Sequence, residues 1–465
     1  MFFSDDTIVA IATPPGRGGI GVIRISGPAA FGIAPALVNR AAPFEPRRAV
    51  LAHFAGSDRQ DSLADEVVVT CFAAPHSYTG QDVAEVSAHG SPVVLRAIVR
   101  RAMDLGARLA EPGEFTLRAF LNGKRDLIQA EAVADLVSAV TPLQARTAFD
   151  QLEGTLTRRI AEIDGTLFDL IARLEASLDF PDEGYHFIAQ DAIGGEIGIV
   201  IDSIDRLLAE SRRGRMIREG ITVAIVGKPN VGKSSLFNRL VGTDRAIVTE
   251  IPGTTRDLIT ETIDLAGIPV TVVDTAGARA TLDVIEREGV ARGERAARVA
   301  SVVVVVVDQS APLTIEDETL LARTASARRI VVANKSDRPD AIAASVPMSA
   351  NTAPCAPAVA SMSVDTRVSA LTGSGLEELR RAIVELVGGE ETREPAALSN
   401  ARHIALLEAT REHLVRARTT AAERHPEEFV LVELQEARVT LEQIVGTRTN
   451  DAMLRHIFER FCIGK

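Results

Sequence analysis

"ITVAIVGKPNVGKSS", residues 221–235, decides the fold of the middle of this chain. An apolar strand, Ile221 to Val226, runs directly into Gly227-x-x-x-x-Gly232-Lys233-Ser234, and "SLFNRLVG" after it reads as a helix. Strand, glycine loop and helix in this order make a phosphate-binding loop. The glycines let main-chain N–H groups curl around phosphates, and the helix start adds partial positive charge. Lys233 is expected to reach the β and γ phosphates and Ser234 to hold Mg²⁺, with Asn230, Val231, Gly232 and Ser235 completing the nucleotide contacts.

Companion motifs follow in the expected order. "PVTVVDTAG" places Asp274 at a strand end, positioned to hold Mg²⁺ through water, with Thr275, Ala276 and Gly277 beside the γ-phosphate. The valines at 302–307 read as a strand buried on both faces, as in a parallel sheet. "IVVANKSD" ends a further strand with Asn334, Lys335 and Asp337. A carboxylate at Asp337 can accept both N–H donors of a guanine edge, which adenine does not offer. Ser369, Ala370 and Leu371 in "SALTGSG" are expected to close over the base. Strands and helices alternate throughout, so 219–384 is expected to be a doubly wound α/β domain that binds GTP.

One position departs from the small-GTPase pattern. Where a glutamine would orient the attacking water, this chain has Ala278. Arg256, Arg279 and Glu286 are the nearby groups that could take over. Asn230 has two readings, a turn former or an amide oxygen for a monovalent cation.

The flanking sequence is of another kind. Leu152, Leu156, Ile160, Ile163, Leu167, Leu170, Leu174 and Leu178 form one apolar helical stripe, expected to end at Pro181. Ile193, Ile197, Ile201, Ile204 and Leu208 form another. Beyond the polar linker 388–395, stripes resume at Ile404, Leu407 and Leu414, then Val430, Leu434, Leu441 and Ile444, then Met453, Ile457 and Phe461. These helices predict one all-α bundle into which the GTPase is inserted. The first ~120 residues mix strands ("GVIRIS", "ADEVVVTCF", "DVAEVSAHG") with the helix "SPVVLRAIVRRAMDLG", an α+β pattern. Gly16-x-Gly18-x-x-Gly21 precedes a strand, not a helix, and is a poor dinucleotide site. Residues 341–366, rich in Ala and Pro, read as a surface excursion carrying Cys355. The expected domains are 1–122, 123–218, 219–384 and 385–465.

The bulk numbers are permissive. With 465 residues and 46% hydrophobic content, about three domains fit. No apolar run approaches the roughly 20 residues of a membrane helix. "MFFSDDTIVA" lacks the layout of a signal peptide, so a cytoplasmic location is expected. Three cysteines give no disulfide framework, and a net charge of −12 leaves room only for a local nucleic-acid patch. The ending "RFCIGK" is unusual. Cys462 stands where prenylation occurs, but Gly464 and Lys465 fit that pattern poorly and no polybasic run precedes them.

"ATPPGRGGIGVIRISG", "SYTGQDVAEVSAHGSP" and "PGEFTLRAFLNGKRDLIQAEAVADL", with a GTPase inserted between helices and Cys-x-Gly-Lys at 462–465, resemble the MnmE (TrmE) family of bacterial tRNA-modification GTPases. The resemblance covers essentially the whole chain. It implies a K⁺-activated GTPase that acts with the FAD-carrying flavoprotein MnmG, in a heterotetramer or larger complex. The two would add aminomethyl-type groups, including carboxymethylaminomethyl, at C5 of the wobble uridine of certain tRNAs. The carbon would come from 5-formyl- or 5,10-methylene-tetrahydrofolate bound by Arg24, Glu85, Lys124 and Lys465. It further implies a homodimer formed through the N-terminal domain, and no membrane association. Asn230 matches the K⁺ position, with Thr249, Ile251 and Thr254. Thr255 matches a second Mg²⁺ ligand, and Glu250, Pro252 and Gly253 lie in the same nucleotide-contacting loop. Glu286 matches the residue that positions water, with Arg256 supporting it, and Cys462 is implied as a thiol nucleophile or proton donor. Ala278, Ala280 and the 341–366 excursion depart from the family pattern. A GTP-gated RNA or ribosome assembly factor, with no one-carbon chemistry, is the other reading; it would not bind a reduced folate.

Overall fold

The computed structural model describes residues 5–55, 64–179, 189–243, 259–274, 300–344, 363–388 and 398–465. Two compact units emerge. One contains residues 1–137, 148–205 and 405–465, and the other contains 138–147 and 206–404.

The first unit is built on a six-stranded sheet ordered β3-β4-β5-β2-β1-β6. Its strands are β1 (Ile8–Ile11), β2 (Gly18–Ser26), β3 (Val50–Ala55), β4 (Ala64–Phe72), β5 (Val83–Gly90) and β6 (Arg108–Leu109). Neighbours are antiparallel except β1 and β6. Helix Pro92–Asp104 starts on a proline at its first turn, where a missing N–H costs nothing. It buries Leu95, Ile98, Val99 and Ala102, a spacing that makes one face, against the sheet's core residues.

Long helices complete this unit. The stripe expected to run unbroken from Leu152 is interrupted: helix Pro142–Leu152 ends, Gly154 adopts φ +80°, and a second helix covers Thr155–Asp179. Glycine takes that left-handed backbone without steric cost, so the turn sits there. Helix 155–179 is tied to helix Glu427–Val445 by Arg438, whose Nε meets Asp164 Oδ1 at 3.0 Å. The last stripe is one residue out of phase with the expectation. On helix Asp451–Phe458 the buried residues are Leu454 and Phe458, joined by Phe461, while Met453 and Ile457 are half-buried. They pack on Leu117, Leu127, Ala130 and Val133, each large side chain contributing about 1.5–3 kcal/mol.

The second unit holds a sheet ordered β12-β11-β10-β7-β9-β8. Its strands are β7 (Ile221–Val226), β8 (Ile259–Leu265), β9 (Ile268–Asp274), β10 (Val302–Asp308), β11 (Arg329–Asn334) and β12 (Thr366–Arg367). All pairs are parallel except β8 with β9. The valines at 302–307 are 0–1% exposed, so the strand is covered on both faces as expected. The 341–366 excursion begins in a short helix, Ala341–Ala344, and ends in β12; 345–362, with Cys355, lie outside the described residues. Pro181 also lies outside them.

Helix Gln190–Glu219 contains glycines in opposite surroundings. A Cβ on Gly198 would meet nothing within 4 Å, whereas one on Gly214 would fall 1.9 Å from the Leu398 carbonyl oxygen. Gly198→Ala should therefore raise stability by about 0.5–1 kcal/mol through helix propensity alone. Gly214→Ala should lower it by about 1–3 kcal/mol, since overpacking outweighs the same propensity gain. Urea denaturation of both variants checks the opposite signs.

Candidate functional site

The phosphate loop lies at the carboxyl end of β7 and opens helix Lys233–Thr243. Gly227 is required by space, because a Cβ there would stand 2.5 Å from the Val306 carbonyl oxygen. Gly232 takes φ +95° and faces the Asn334 amide, 2.3 Å from where a Cβ would lie. Asn230 also has positive φ, +63°, a conformation asparagine tolerates better than most residues. It is exposed, as are Ser234 and Ser235. Lys233 is buried and its Nζ donates to the Lys228 carbonyl at 2.7 Å. Burial lowers its pKa, and the Asp274 carboxylate works in the opposite direction. Asp274 itself is 2% exposed.

Of the residues expected to read guanine, Asn334 and Lys335 reach this loop. Asn334 Nδ2 donates to the Val231 carbonyl at 2.8 Å, and its Oδ1 accepts the Ala370 N–H at 3.1 Å. Lys335 Nζ donates to the Asn230 carbonyl at 3.0 Å and to Asp308 Oδ2 at 2.5 Å. Asp337 is exposed and accepts the Ser369 hydroxyl at 2.5 Å, a bond that holds its carboxyl pKa below the usual range. Leu371 is largely exposed beside Ala370. The arrangement presents main-chain N–H groups and an ammonium for phosphates, with a carboxylate for a base edge. Gly227 and Gly232 form a cradle that a side chain would fill, so a nucleotide's phosphates fit here. The Ser234 hydroxyl and the Asp274 carboxylate suit Mg²⁺, a hard cation.

In the first unit, Arg24 on β2 stands opposite Glu85 on β5, and its Nη2 meets Glu85 Oε1 at 2.8 Å. Its guanidinium lies 4.8 Å from the Tyr78 ring centroid and 5.8 Å from that of Phe115. The segment 462–465 reaches the same place. Gly464 has φ +96°, and a Cβ there would stand 2.4 Å from the Ile11 carbonyl oxygen, so only glycine fits the seat. Arg24 Nη1 reaches the Gly464 carbonyl at 3.5 Å. The Cys462 carbonyl accepts from the Lys465 N–H at 3.3 Å, and the Cys462 thiol is exposed. Burial, then the charges of Arg24 and Arg125, lower the Lys465 pKa, against a pull from Cys462. Lys124 is exposed, its stem beside Gly80 in the loop that carries Tyr78.

Thus Arg24, Glu85 and the 464–465 segment come together, with Lys124 next to the same loop. Composition and spacing gave no warning of the aromatic partners Tyr78 and Phe115, nor of Arg125, 4.9 Å from the Tyr78 centroid. The surrounding guanidiniums and ammonium suit a ligand with carboxylates or a polar ring edge, and Tyr78 offers a flat apolar face. Thr249, Glu250, Ile251, Pro252, Gly253, Thr254, Thr255 and Arg256 lie outside the described residues. So do Thr275, Ala276, Gly277, Ala278, Arg279, Ala280 and Glu286.

A mostly parallel sheet with this loop at its carboxyl edge, read by an Asn-Lys-x-Asp strand end, defines a P-loop domain of the GTPase class. Residues 7–124 match the family described as GTP-binding protein TrmE N-terminus, and 127–462 match the MnmE helical domain. Similar full-length relatives, each named tRNA modification GTPase MnmE, come from Koribacter versatilis (46% identical, 99% of each chain covered) and Thiobacillus denitrificans (42%, 99% of this chain and 98% of that one). Another, from Aquifex aeolicus, is 41% identical over 99% of this chain and 100% of its own. The chain belongs to the MnmE family.

Helix Glu114–Leu121 carries Phe115 under Arg24 and is held by a charged network. Arg118, 2% exposed, meets Asp6 Oδ1 at 2.5 Å and Glu114 Oε1 at 2.9 Å, and Arg108 meets Glu114 Oε1 at 2.7 Å. Burial pushes the Glu114 carboxyl pKa up, but Arg108, the Glu111 N–H and Arg118 together bring it below its ordinary value. Asp6 is lowered in the same way by Arg108 and Arg118 against burial. Depressed carboxyl pKa values give stability that is present above about pH 4 and lost as pH falls through the lowered values. Arg118→Met should cost on the order of 3 kcal/mol at pH 7, discounted for the partly exposed Asp6. It should also flatten the acid dependence. Denaturation at pH 7 and at pH 3.5 for both proteins tests this, and parallel pH profiles would contradict it.

Proposed function

We propose that this protein hydrolyses GTP and acts in tRNA modification, as the names of its relatives indicate for them. Working with MnmG, it would add an aminomethyl or carboxymethylaminomethyl group at C5 of the wobble uridine, taking the carbon from a tetrahydrofolate. The observation that supports the one-carbon reading is the Gly464 seat, whose carbonyl Arg24 reaches and which brings Lys465 within the influence of the Arg24 charge, with Cys462 two residues before it. A GTP-gated assembly factor would need no such seat. The proposed domains are 1–122, 123–218, 219–384 and 385–465, in a cytoplasmic homodimer.

Each residue has a physical task in this reading. Lys233 would leave the Lys228 carbonyl to meet the phosphates, and Ser234 and Thr255 would hold Mg²⁺. Asp337 accepts the guanine N–H groups, and Ser369, Ala370 and Leu371 close over the base. Val231, Gly232, Ser235, Asp274, Thr275, Ala276, Gly277, Asn334 and Lys335 complete the pocket with Glu250, Pro252 and Gly253. Asn230, Thr249, Ile251 and Thr254 would hold a monovalent cation, whose positive charge would oppose the charge developing on the phosphate. Glu286 orients water in place of the missing glutamine, with Arg256 in support. Arg24, Glu85, Lys124 and Lys465 hold the folate, and Cys462 offers a thiol to the carbon-transfer step.

GTP turnover should be much faster in K⁺ than in Na⁺ at equal ionic strength, and Glu286→Ala should lower kcat while leaving nucleotide affinity nearly unchanged. Equal rates in the two salts would remove the cation from the mechanism. Cys462→Ser should keep GTP hydrolysis and abolish the wobble modification, since a hydroxyl is close in size but far less acidic. Lys465 deletion should first weaken folate binding. The checks are nucleoside analysis of tRNA from cells carrying each variant and folate affinity of the purified proteins. Normal modification in the serine variant would refute a chemical role for Cys462, and a chain that binds no reduced folate would favour the assembly factor.

A further inference from the structure

The phosphate loop is anchored at several points, and the assigned nucleotide contacts account for only some of them. Asn334 and Lys335 grip its second half through the carbonyls of Val231 and Asn230. The first half is held differently. Lys228 directs its ammonium to Asp317 Oδ2, at 2.6 Å, with the Thr314 hydroxyl a longer acceptor at 3.3 Å. Asp317 lies on helix Ile315–Arg323, is 2% exposed, and also accepts the N–H and hydroxyl of the N-cap residue Thr314, at 2.9 and 2.8 Å. Its other oxygen is buried and has no hydrogen-bond partner among the described residues. All its bonding is therefore concentrated on the atom that holds Lys228. The main-chain carbonyl of Lys228 is in turn the acceptor of Lys233 Nζ.

We propose that Lys228 and Asp317 are a positioning pair that keeps the first half of the phosphate loop in receptive shape while Lys233 changes partners. This rests on the nucleotide-binding reading above. In that reading Lys233 must release the Lys228 carbonyl to reach a phosphate, and the loop then loses an internal bond. A charge-assisted bond from a buried carboxylate to the Lys228 side chain holds the residue when its carbonyl is freed. Without it, binding must also order the loop, and the cost appears as weaker affinity. Neither residue touches the nucleotide through its side chain.

The experiment measures equilibrium binding of a fluorescent GDP analogue to the full chain, with GTP turnover and thermal midpoint alongside. Lys228→Met keeps the side-chain stem and removes the charge; it should raise Kd about tenfold and change kcat by less than about threefold. Lys228→Arg should restore affinity to within about twofold, because the guanidinium can meet the same carboxylate. Thr314→Val weakens the helix cap and removes the longer contact of Lys228 to the Thr314 hydroxyl, 3.3 Å, but keeps the Lys228–Asp317 pair, so it should lower the thermal midpoint and raise Kd by less than about threefold. Lys228→Met combined with Asp317→Asn removes the unpaired buried charge and should fold even where the single variant does not. It should still bind about tenfold more weakly. Wild-type affinity in either Lys228→Met protein overturns the proposal while leaving the nucleotide reading in place. A wild-type chain that fails to bind the probe overturns both.

Discussion

The side-chain amide of Asn334 faces two loops of the second unit at once. Buried to 2% exposure, it donates to Val231 in the phosphate loop and accepts from Ala370 in the loop expected to close on the base. An amide carries its donor and its acceptor on separate atoms, so one short side chain serves both loops together. Its location follows from the sheet. β11 ends at Asn334, β10 lies between β11 and β7, and parallel strands bring all their carboxyl ends to the same edge. Gly227 and Gly232 are then forced, because strand β10 and the amide itself leave no space for a Cβ.

That dependence explains which features could be read from the sequence. β7, β9, β10 and β11 were legible because buried parallel strands leave a nearly continuous hydrophobic record, whereas the antiparallel β8, with polar residues interleaved, and the two-residue β12 leave none. The phosphate loop and Asn334, Lys335 and Asp337 were legible for the same reason, as their roles fix both residue type and spacing. Leu152 was assigned to the wrong helix because the apolar period continues across Gly154, and only the backbone angle shows the turn. The phase error at Met453 and Ile457 came from a short helix, where one residue moves the stripe without disturbing the pattern. Leu454 and Phe458 win because they meet Leu117 and Leu127, residues more than three hundred positions earlier.

The tail site was legible in a different way. Nothing in periodicity or spacing joins Cys462–Lys465 to Arg24, and the connection came from resemblance. The structure gives that connection a steric cause in Gly464 and an electrostatic one in the cations around Lys465. Tyr78 and Phe115 escaped notice because an aromatic that stacks on a guanidinium looks in sequence like any core residue.

Arg24 and Gly464 are separated by 440 positions. Loop closure over such a length disfavours early contact during folding, so the seat forms after the sheet and helices that frame it. The helix that delivers it buries only Leu454 and Phe458. A short element with so small a core opens locally at a free-energy cost well below that of the whole domain. The seat can therefore detach and return while the β-sheet stays intact, and amide protons around 451–465 exchange with solvent before those of β2 and β5. Access to the Arg24–Glu85 pair thereby becomes a matter of local opening, set by a few aromatic contacts and independent of global unfolding.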